Sequence, residues 1–206
     1  MTRRTQERRR RHGGRSTPQS PWIGVLALLL GAVLAAAADA QPDYARDPGT
    51  VVVRFQEIHG EIDAADAGPS VEVRGDGSAR VRYPAYMRRA GDWTTRLDAA
   101  EMDRLIGLLV GAGLLDFDAA AVARAKEARA ARPTAGGRPA DRYVVLDAST
   151  TVIELHVGGV ARTIRWQGLR GDALRYPGIA ALQGLAEAQR ELLHLMERPD
   201  LTRVGP

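Results

Sequence analysis

The sequence has 206 residues, a net charge of +4 and no cysteine. Without cysteine the chain has no disulfide, and it cannot carry the lipid anchor that forms on a cleavage-site cysteine. Residues 1–40 hold seven arginines and two acidic residues, so the remainder has 22 basic and 23 acidic residues and a net charge of −1. That balance is not typical of a nucleic-acid-binding domain, and we expect no nucleic-acid partner.

The first forty residues have the three parts of a secretory signal peptide. An arginine-rich segment precedes a continuous apolar run over residues 22–38, which ends in the small residues Ala38 and Ala40 at the positions that a signal peptidase reads. We therefore expect a signal peptide at 1–40 and a periplasmic or secreted mature protein with no membrane span after cleavage. The alternative is an uncleaved N-terminal anchor, for which the run is short and rich in alanine.

The mature chain begins with a lead-in, a strand and a hairpin. Residues 41–49 are polar and predict a flexible lead-in to a single domain over 50–206. Val51 to Phe55 is β-branched and aromatic, which predicts a strand. Apolar and polar residues alternate from Ser70 to Tyr83, which predicts a hairpin around a two-residue turn at Asp76-Gly77 with φ > 0 at both positions.

Helix signals follow a short extended segment at Trp93 to Leu97. Asp98 and Glu101 have the spacing of a capping box. Apolar residues then recur at helical spacing, at Met102, Leu105, Ile106, Leu109 and Val110. These signals predict a helix at about 98–112 that ends near Gly113. A second helix, Ala119 to Arg132, has little apolar surface and is expected to be exposed or only partly ordered.

The C-terminal third predicts strands and a long helix. The strands are expected at Arg142–Asp147, Thr151–Val157 and Val160–Trp166, the last two joined by a tight turn at Gly158-Gly159. A loop over Gln167–Pro177 leads to an amphipathic helix at about 178–198, which Pro199 ends.

This order of elements predicts an α+β domain in which two or three helices pack on one face of an antiparallel sheet with at least five strands. About 165 residues are enough for one core without disulfides. The predicted core comprises Val53, Phe55, Val73, Leu105, Leu109, Val145, Ile153, Leu155, Ile164, Leu182, Leu185 and Leu192.

The segment from Tyr83 to Trp93 is the strongest candidate for a binding site. It places aromatic and arginine side chains together in a chain with few aromatic residues, and these residue types dominate interface hot spots. We predict Tyr86, Arg88, Arg89 and Trp93 as contact residues. The competing interpretation is that Tyr83 and Trp93 belong to the flanking strands and that Tyr86 covers the core.

The sequence contains no motif of a recognisable catalytic or metal site. Its mature serines do not lie in a nucleophile elbow, its histidines are far apart, and Gly107, Gly111 and Gly113 lie inside or just after the predicted helix instead of in a phosphate-binding loop. We predict no cofactor and no metal. The leading interpretation is a non-catalytic interaction module with a protein partner in the cell envelope, and the alternative is a hydrolase whose acidic site forms only in the folded chain.

The hairpin over residues 71–81 and the helix pattern that starts at Leu97 and Asp98 resemble small exported bacterial α+β domains of unknown function. More distantly, the layout is similar to the emfourin family of small inhibitors of thermolysin-like proteases, in which a strand runs into a G-G-F-A-G-like segment. The equivalent residues here, Ile58-His59-Gly60-Glu61-Ile62, lack the double glycine and the phenylalanine. The resemblance implies a second alternative, an inhibitor of a secreted protease, and assigns no functional residue.

Overall fold

A computed structural model describes residues 42–59, 68–131 and 148–205. These residues form the strands β1 Val51–Ile58, β2 Ser70–Arg74, β3 Ser78–Tyr83, β4 Gly91–Arg96, β5 Thr150–Val157, β6 Val160–Gln167 and β7 Thr202–Arg203. Their helices are α1 Ala99–Gly111, α2 Ala119–Ala130, α3 Leu169–Arg175 and α4 Ala180–Met196. The strands form one sheet in the order β6-β5-β1-β2-β3-β4-β7, and every neighbouring pair is antiparallel.

The α+β class with an antiparallel sheet is therefore confirmed, and the helices lie on one side of the sheet. The described residues contain four helices where two or three were expected. The additional helix is α3, which occupies most of the segment that was predicted as a loop.

Two hairpins flank β1, one on each side. The β2–β3 loop has three residues, Gly75 to Gly77. It is therefore one residue longer than the predicted two-residue turn, and that prediction was wrong. The Gly77 N–H donates to the Arg74 carbonyl oxygen at 2.9 Å, and Gly77 has a φ of 83°. Asp76 stabilises this longer loop because its Oδ1 accepts bonds from the Ser78 N–H at 3.0 Å and the Ser78 hydroxyl at 2.6 Å. The β5–β6 turn is as predicted, with positive φ at Gly158 and Gly159.

Helix α1 begins and ends at the predicted signals. Asp98 Oδ1 accepts the Glu101 N–H at 2.8 Å, and Glu101 Oε2 accepts the Asp98 N–H at 2.9 Å, which completes the capping box. At the other end Gly113 has a φ of 78°, and its N–H donates to the Val110 carbonyl oxygen at 2.9 Å. Glycine adopts this left-handed conformation without strain, which explains why the helix stops there.

The core lies between the sheet and the pair α1 and α4. These helices approach so closely that a Cβ at Gly184 would lie 2.2 Å from the Ala112 carbonyl oxygen. All the predicted core residues that the structure describes are buried: Val53, Phe55, Val73, Leu105, Leu109, Ile153, Leu155, Ile164, Leu182, Leu185 and Leu192. Val145 and the predicted strand Arg142–Asp147 lie outside the described residues, as do the leader and its cleavage residues Ala38 and Ala40.

Helix α2 buries only one residue, Val122, so apolar packing holds it weakly. A polar contact attaches it to the rest of the domain. Lys126, the only lysine in the sequence, forms an ion pair with Asp172 of α3. The indole Nε1 of Trp166 donates to the same carboxylate at 2.8 Å. The Lys126 ammonium also lies 5.2 Å from the Trp166 ring centroid and 5.7 Å from that of Tyr176. We call these four residues the Lys126 clamp; it fastens α2 to α3 and to β6.

Residues 42–49, expected to be a flexible lead-in, make specific contacts with the domain. Tyr44 is 7% exposed, and its hydroxyl donates to Asp103 Oδ1 at 3.0 Å. The Arg46 guanidinium lies 4.5 Å from the Tyr44 ring centroid and 2.8 Å from the same carboxylate. The Gly158 N–H donates to the Asp43 carbonyl oxygen at 2.6 Å, so the lead-in also contacts the β5–β6 turn.

Candidate functional site

The segment between β3 and β4 is built on two aromatic residues that face the helices. Tyr83 ends β3, is 8% exposed, and donates its hydroxyl proton to the Met196 carbonyl oxygen at the end of α4. Burial raises the pKa of this hydroxyl; nearby Arg89 opposes the effect and Glu197 adds to it. Trp93, in β4, is half-buried. Both rings are therefore anchored in the domain.

Arg89 is held between these two rings. Its guanidinium carbon lies 5.5 Å from the Tyr83 ring centroid and 4.9 Å from the Trp93 ring centroid. The Trp93 indole N–H donates to the Arg89 backbone carbonyl at 2.9 Å. Arg89 itself is exposed and forms no ion pair with any described residue. The loop thus presents a positive charge whose position is set by aromatic stacking.

Tyr86 and Arg88 lie in the middle of the loop and are exposed. Tyr86 is 51% exposed and is not a buried core residue, whereas Tyr83 and Trp93 belong to the flanking strands β3 and β4, as the competing interpretation expected. Arg88 is exposed as well, and no described residue is its hydrogen-bond or ion-pair partner. The tip is shaped by bonds from the Met87 N–H to the Pro84 carbonyl oxygen and from the Ala90 N–H to the Met87 carbonyl oxygen, each 3.0 Å long.

The four predicted contact residues therefore divide into two pairs. Tyr86 and Arg88 are free to contact a partner. Trp93 is mainly a support for Arg89, because its ring is half-buried and its indole proton is bonded to the loop backbone.

Two further arginines lie beside the loop, of which Arg82 directly precedes it in β3 and Arg203 comes from the distant strand β7. Arg82 and Arg203 line a depression of about 270 Å³ together with the loop residues Ala85 and Ala90. Arg203 lies in β7, and its Nη2 donates to the Ala90 carbonyl oxygen at 3.4 Å. We call Arg82, Arg88, Arg89 and Arg203 the basic corner. Neither arginine was among the predicted contact residues: Arg82 was overlooked although it directly precedes Tyr83 in the sequence, and Arg203 is brought to the loop only by the pairing of β7 with β4.

The charge of the basic corner is only weakly compensated. Asp92 lines the same depression, but its carboxylate pairs with Arg80 at 3.0 Å. None of the four arginines forms an ion pair among the described residues. Glu197 is close enough to raise the pKa of Tyr83.

The sheet face away from the helices, which Arg82 also borders, has a more balanced charge. One row across four strands alternates in charge, with Arg54 paired to Glu154 at 2.8 Å and to Glu72 at 2.9 Å, and with Arg80 opposite Glu72. Partly exposed pairs of this kind contribute little to stability and leave little net charge. This face is therefore a weaker candidate for a charged partner than the basic corner.

Within residues 42–59, 68–131 and 148–205, no group of three or more His, Asp or Glu side chains could hold a metal ion. No helix in these ranges is long and apolar enough to cross a membrane. Comparisons of the chain with protein-family models, with curated proteins and with solved structures found no match.

Proposed function

We propose that this protein is an exported, non-catalytic interaction module that binds a protein partner through the loop from Tyr83 to Trp93. One observation carries the proposal: Arg89 is stacked between two anchored rings while Tyr86 and Arg88 beside it are exposed. The combination offers a binding surface that is ordered before the partner arrives.

Preorganisation matters because association has to offset the entropy of ordering side chains and loops. In this loop the backbone bonds at the tip and the stacking of Arg89 already restrict the chain. Tyr86 can offer flat apolar area and a hydroxyl with only two side-chain torsions to fix. Binding through this loop would therefore leave more of the contact energy as net affinity.

The charge of the basic corner favours a partner surface that is acidic. Cations without a carboxylate partner attract a negative surface and repel a positive one, which raises association rates and gives specificity. Arg203 and Arg82 extend the positive surface beyond the loop, so the expected contact includes β7 and the end of β3.

Partner capture with matched variants tests the proposal. The double variant Tyr86→Ala/Arg88→Ala removes two exposed loop side chains, and Val160→Ala/Arg165→Ala removes an exposed apolar and an exposed arginine side chain from β6. From a cell-envelope extract, we expect the wild type and the β6 variant to capture the same partner and the loop variant to lose it. Equal capture by both variants would contradict the proposed surface.

Export is a separate part of the proposal and rests on the N-terminal pattern of residues 1–40. The expected outcome is a mature protein that begins near Gln41 in the soluble envelope or extracellular fraction. Intact-mass measurement checks this, and a full-length mass in the membrane fraction would contradict it.

A further inference from the structure

A second candidate site lies away from the basic corner, in a groove between α3, α4 and the adjacent ends of β1 and β5. The groove has a volume of about 670 Å³. Ligand sites in proteins have volumes of about 300–1,000 Å³ and combine apolar walls with a few oriented polar groups. This groove has both features, and it uses none of the residues of the proposed interaction loop.

The polar groups lie at the floor and are already oriented. Gln189 of α4 is 8% exposed and Thr151 of β5 is 1% exposed. The Gln189 amide Nε2 donates to Glu57 Oε1 at 2.7 Å and to Thr151 Oγ1 at 3.0 Å. The bond to Thr151 orients the Gln189 amide, and the bond from that amide holds the Glu57 carboxylate in position at the end of β1.

Glu57 has no cationic partner among the described residues. Its Oε1 accepts the Gln189 bond, and no described donor is bonded to its Oε2. A carboxylate beside apolar walls is stabilised by a cation, because hydration there is reduced and the attraction is stronger than in water. The floor is therefore complementary to an ammonium or guanidinium group.

The walls and the rim define the rest of the ligand. Leu169, Ala186 and Leu193 line the walls, and Leu174, 78% exposed, lies at the mouth. These side chains suit an aliphatic stem. Two exposed arginines, Arg170 and Arg190, also line the groove and are complementary to a carboxylate.

We propose that this groove binds a basic amino acid with a free carboxylate, of the lysine or arginine type. The side-chain cation lies against the Glu57 carboxylate, the aliphatic stem lies along the leucine walls, and the carboxylate lies at Arg170 and Arg190. The same chemistry is present in a free amino acid and at the C-terminus of a peptide that ends in lysine or arginine.

Calorimetric titration of the full mature domain with four compounds tests this proposal. L-lysine and Nα-acetyl-L-lysine both carry the cation and the carboxylate, and the acetyl compound stands for a peptide C-terminus. Norleucine lacks the side-chain cation, and cadaverine lacks the carboxylate. We expect one or both lysine compounds to bind at millimolar concentration or below, and norleucine and cadaverine to bind at least about tenfold more weakly. The tighter of the two lysine compounds identifies the source.

Two variants and one control locate the site. Glu57→Gln keeps an oxygen that can accept the Gln189 bond and removes the charge, and Arg190→Met removes a rim charge from an exposed position. Each should weaken lysine binding by about tenfold or more. Glu187→Gln makes the same chemical change at an exposed position of α4 outside the groove and should leave binding unchanged.

Three results would overturn the proposal. They are the absence of binding by either lysine compound, binding of norleucine or cadaverine as tight as that of lysine, and unchanged affinity in both Glu57→Gln and Arg190→Met. A loss of stability in Glu57→Gln would not rescue the proposal, because Arg190→Met reports on the groove without touching the buried floor. Partner capture through the Tyr83–Trp93 loop is independent of these outcomes.

Discussion

The Lys126 clamp and the Arg89 stack both hold a cation against two aromatic rings, but they differ in what neutralises the charge. Lys126 lies near Trp166 and Tyr176 and also pairs with Asp172, and its side chain is 27% exposed. Arg89 lies near Tyr83 and Trp93, has no carboxylate partner among the described residues, and is exposed. The first cation is used within the fold, whereas the second remains available to another molecule.

Similar side-chain types thus stabilise the fold in one region and leave a charge available for the proposed binding in another. An ammonium paired with a half-buried carboxylate ties secondary-structure elements together, because breaking the pair leaves a charge in a poorly hydrated position. A guanidinium that stacks on aromatic rings without a carboxylate partner is fixed in position by the rings, and its charge is not neutralised within the fold. This difference is the basis for proposing that the Tyr83–Trp93 loop takes part in recognition.

The largest expected effect is on the free energy of unfolding. It distinguishes Tyr83, which supports the loop, from Tyr86 in the loop itself. Tyr83→Ala should lower the free energy of unfolding by about 3 kcal/mol, because it removes a buried ring and leaves the Met196 carbonyl without its bond. Tyr86→Ala should change it by less than about 0.5 kcal/mol, as is usual for exposed positions. Urea denaturation measures both values. A large loss for Tyr86→Ala would mean that the loop tip is part of the core after all.

The next prediction compares the two cations by the same substitution. Lys126→Met should cost on the order of 2 kcal/mol, since charged hydrogen bonds contribute about that much and methionine keeps only the stem. Arg89→Met should cost about 0.5 kcal/mol, the range of an exposed cation–π contact. Arg124→Met is the control on α2, because Arg124 is 69% exposed and lies 3.9 Å from Asp118. Equal losses for the lysine and arginine variants in urea denaturation would remove the distinction between the regions.

A third prediction concerns another cation, Arg198, whose partners include Glu101 of the α1 capping box. Arg198 bonds Glu101 at 2.7 Å and Asp200 at 2.8 Å. The hydrogen bond from Arg198 holds the pKa of both carboxyls below the usual range, with help from the Asp98 N–H for Glu101 and from the Thr95 hydroxyl for Asp200. A lowered pKa gives stability that is present above the ordinary value of about 4 and is lost as the pH falls through the folded-state pKa.

Thermal unfolding between neutral pH and pH 2 measures this contribution. At neutral pH Arg198→Met should cost about 0.5–1 kcal/mol, the range for partly exposed pairs, and the cost should shrink below about pH 4, because the unfolded chain then takes up protons that Glu101 and Asp200 resist in the folded wild type. A cost that stays constant over this pH range would show that Arg198 acts through packing instead of charge.

Local patterns predicted much of this fold, because its signals are local. The capping box at Asp98, the stop at Gly113 and the glycine turn after β5 all depend on neighbouring residues, and each lies where it was expected. Helix α3 was missed since its short segment has no apolar periodicity, and Asp172 bonds to residues far along the chain or in β6. Local sequence patterns do not report such contacts.

In the candidate site, too, local sequence patterns identified the residues but not the contacts between them. Tyr86, Arg88, Arg89 and Trp93 could be singled out because they are close together in the sequence. That Trp93 supports Arg89 while Tyr86 is exposed depends on which way each side chain points from the sheet. Arg203 joins the site through the pairing of β7 with β4, which no sequence pattern indicated.

Site-specific photo-crosslinking in the cells that make the protein tests the assignment of the loop most directly. A photoreactive amino acid replaces Tyr86 in one variant and Val160, another exposed residue, in the matched control. Our account predicts one discrete crosslinked partner from position 86, absent from position 160 and absent when Arg88→Ala is added to the position-86 variant. No crosslink from position 86, or the same products from both positions, would contradict the account.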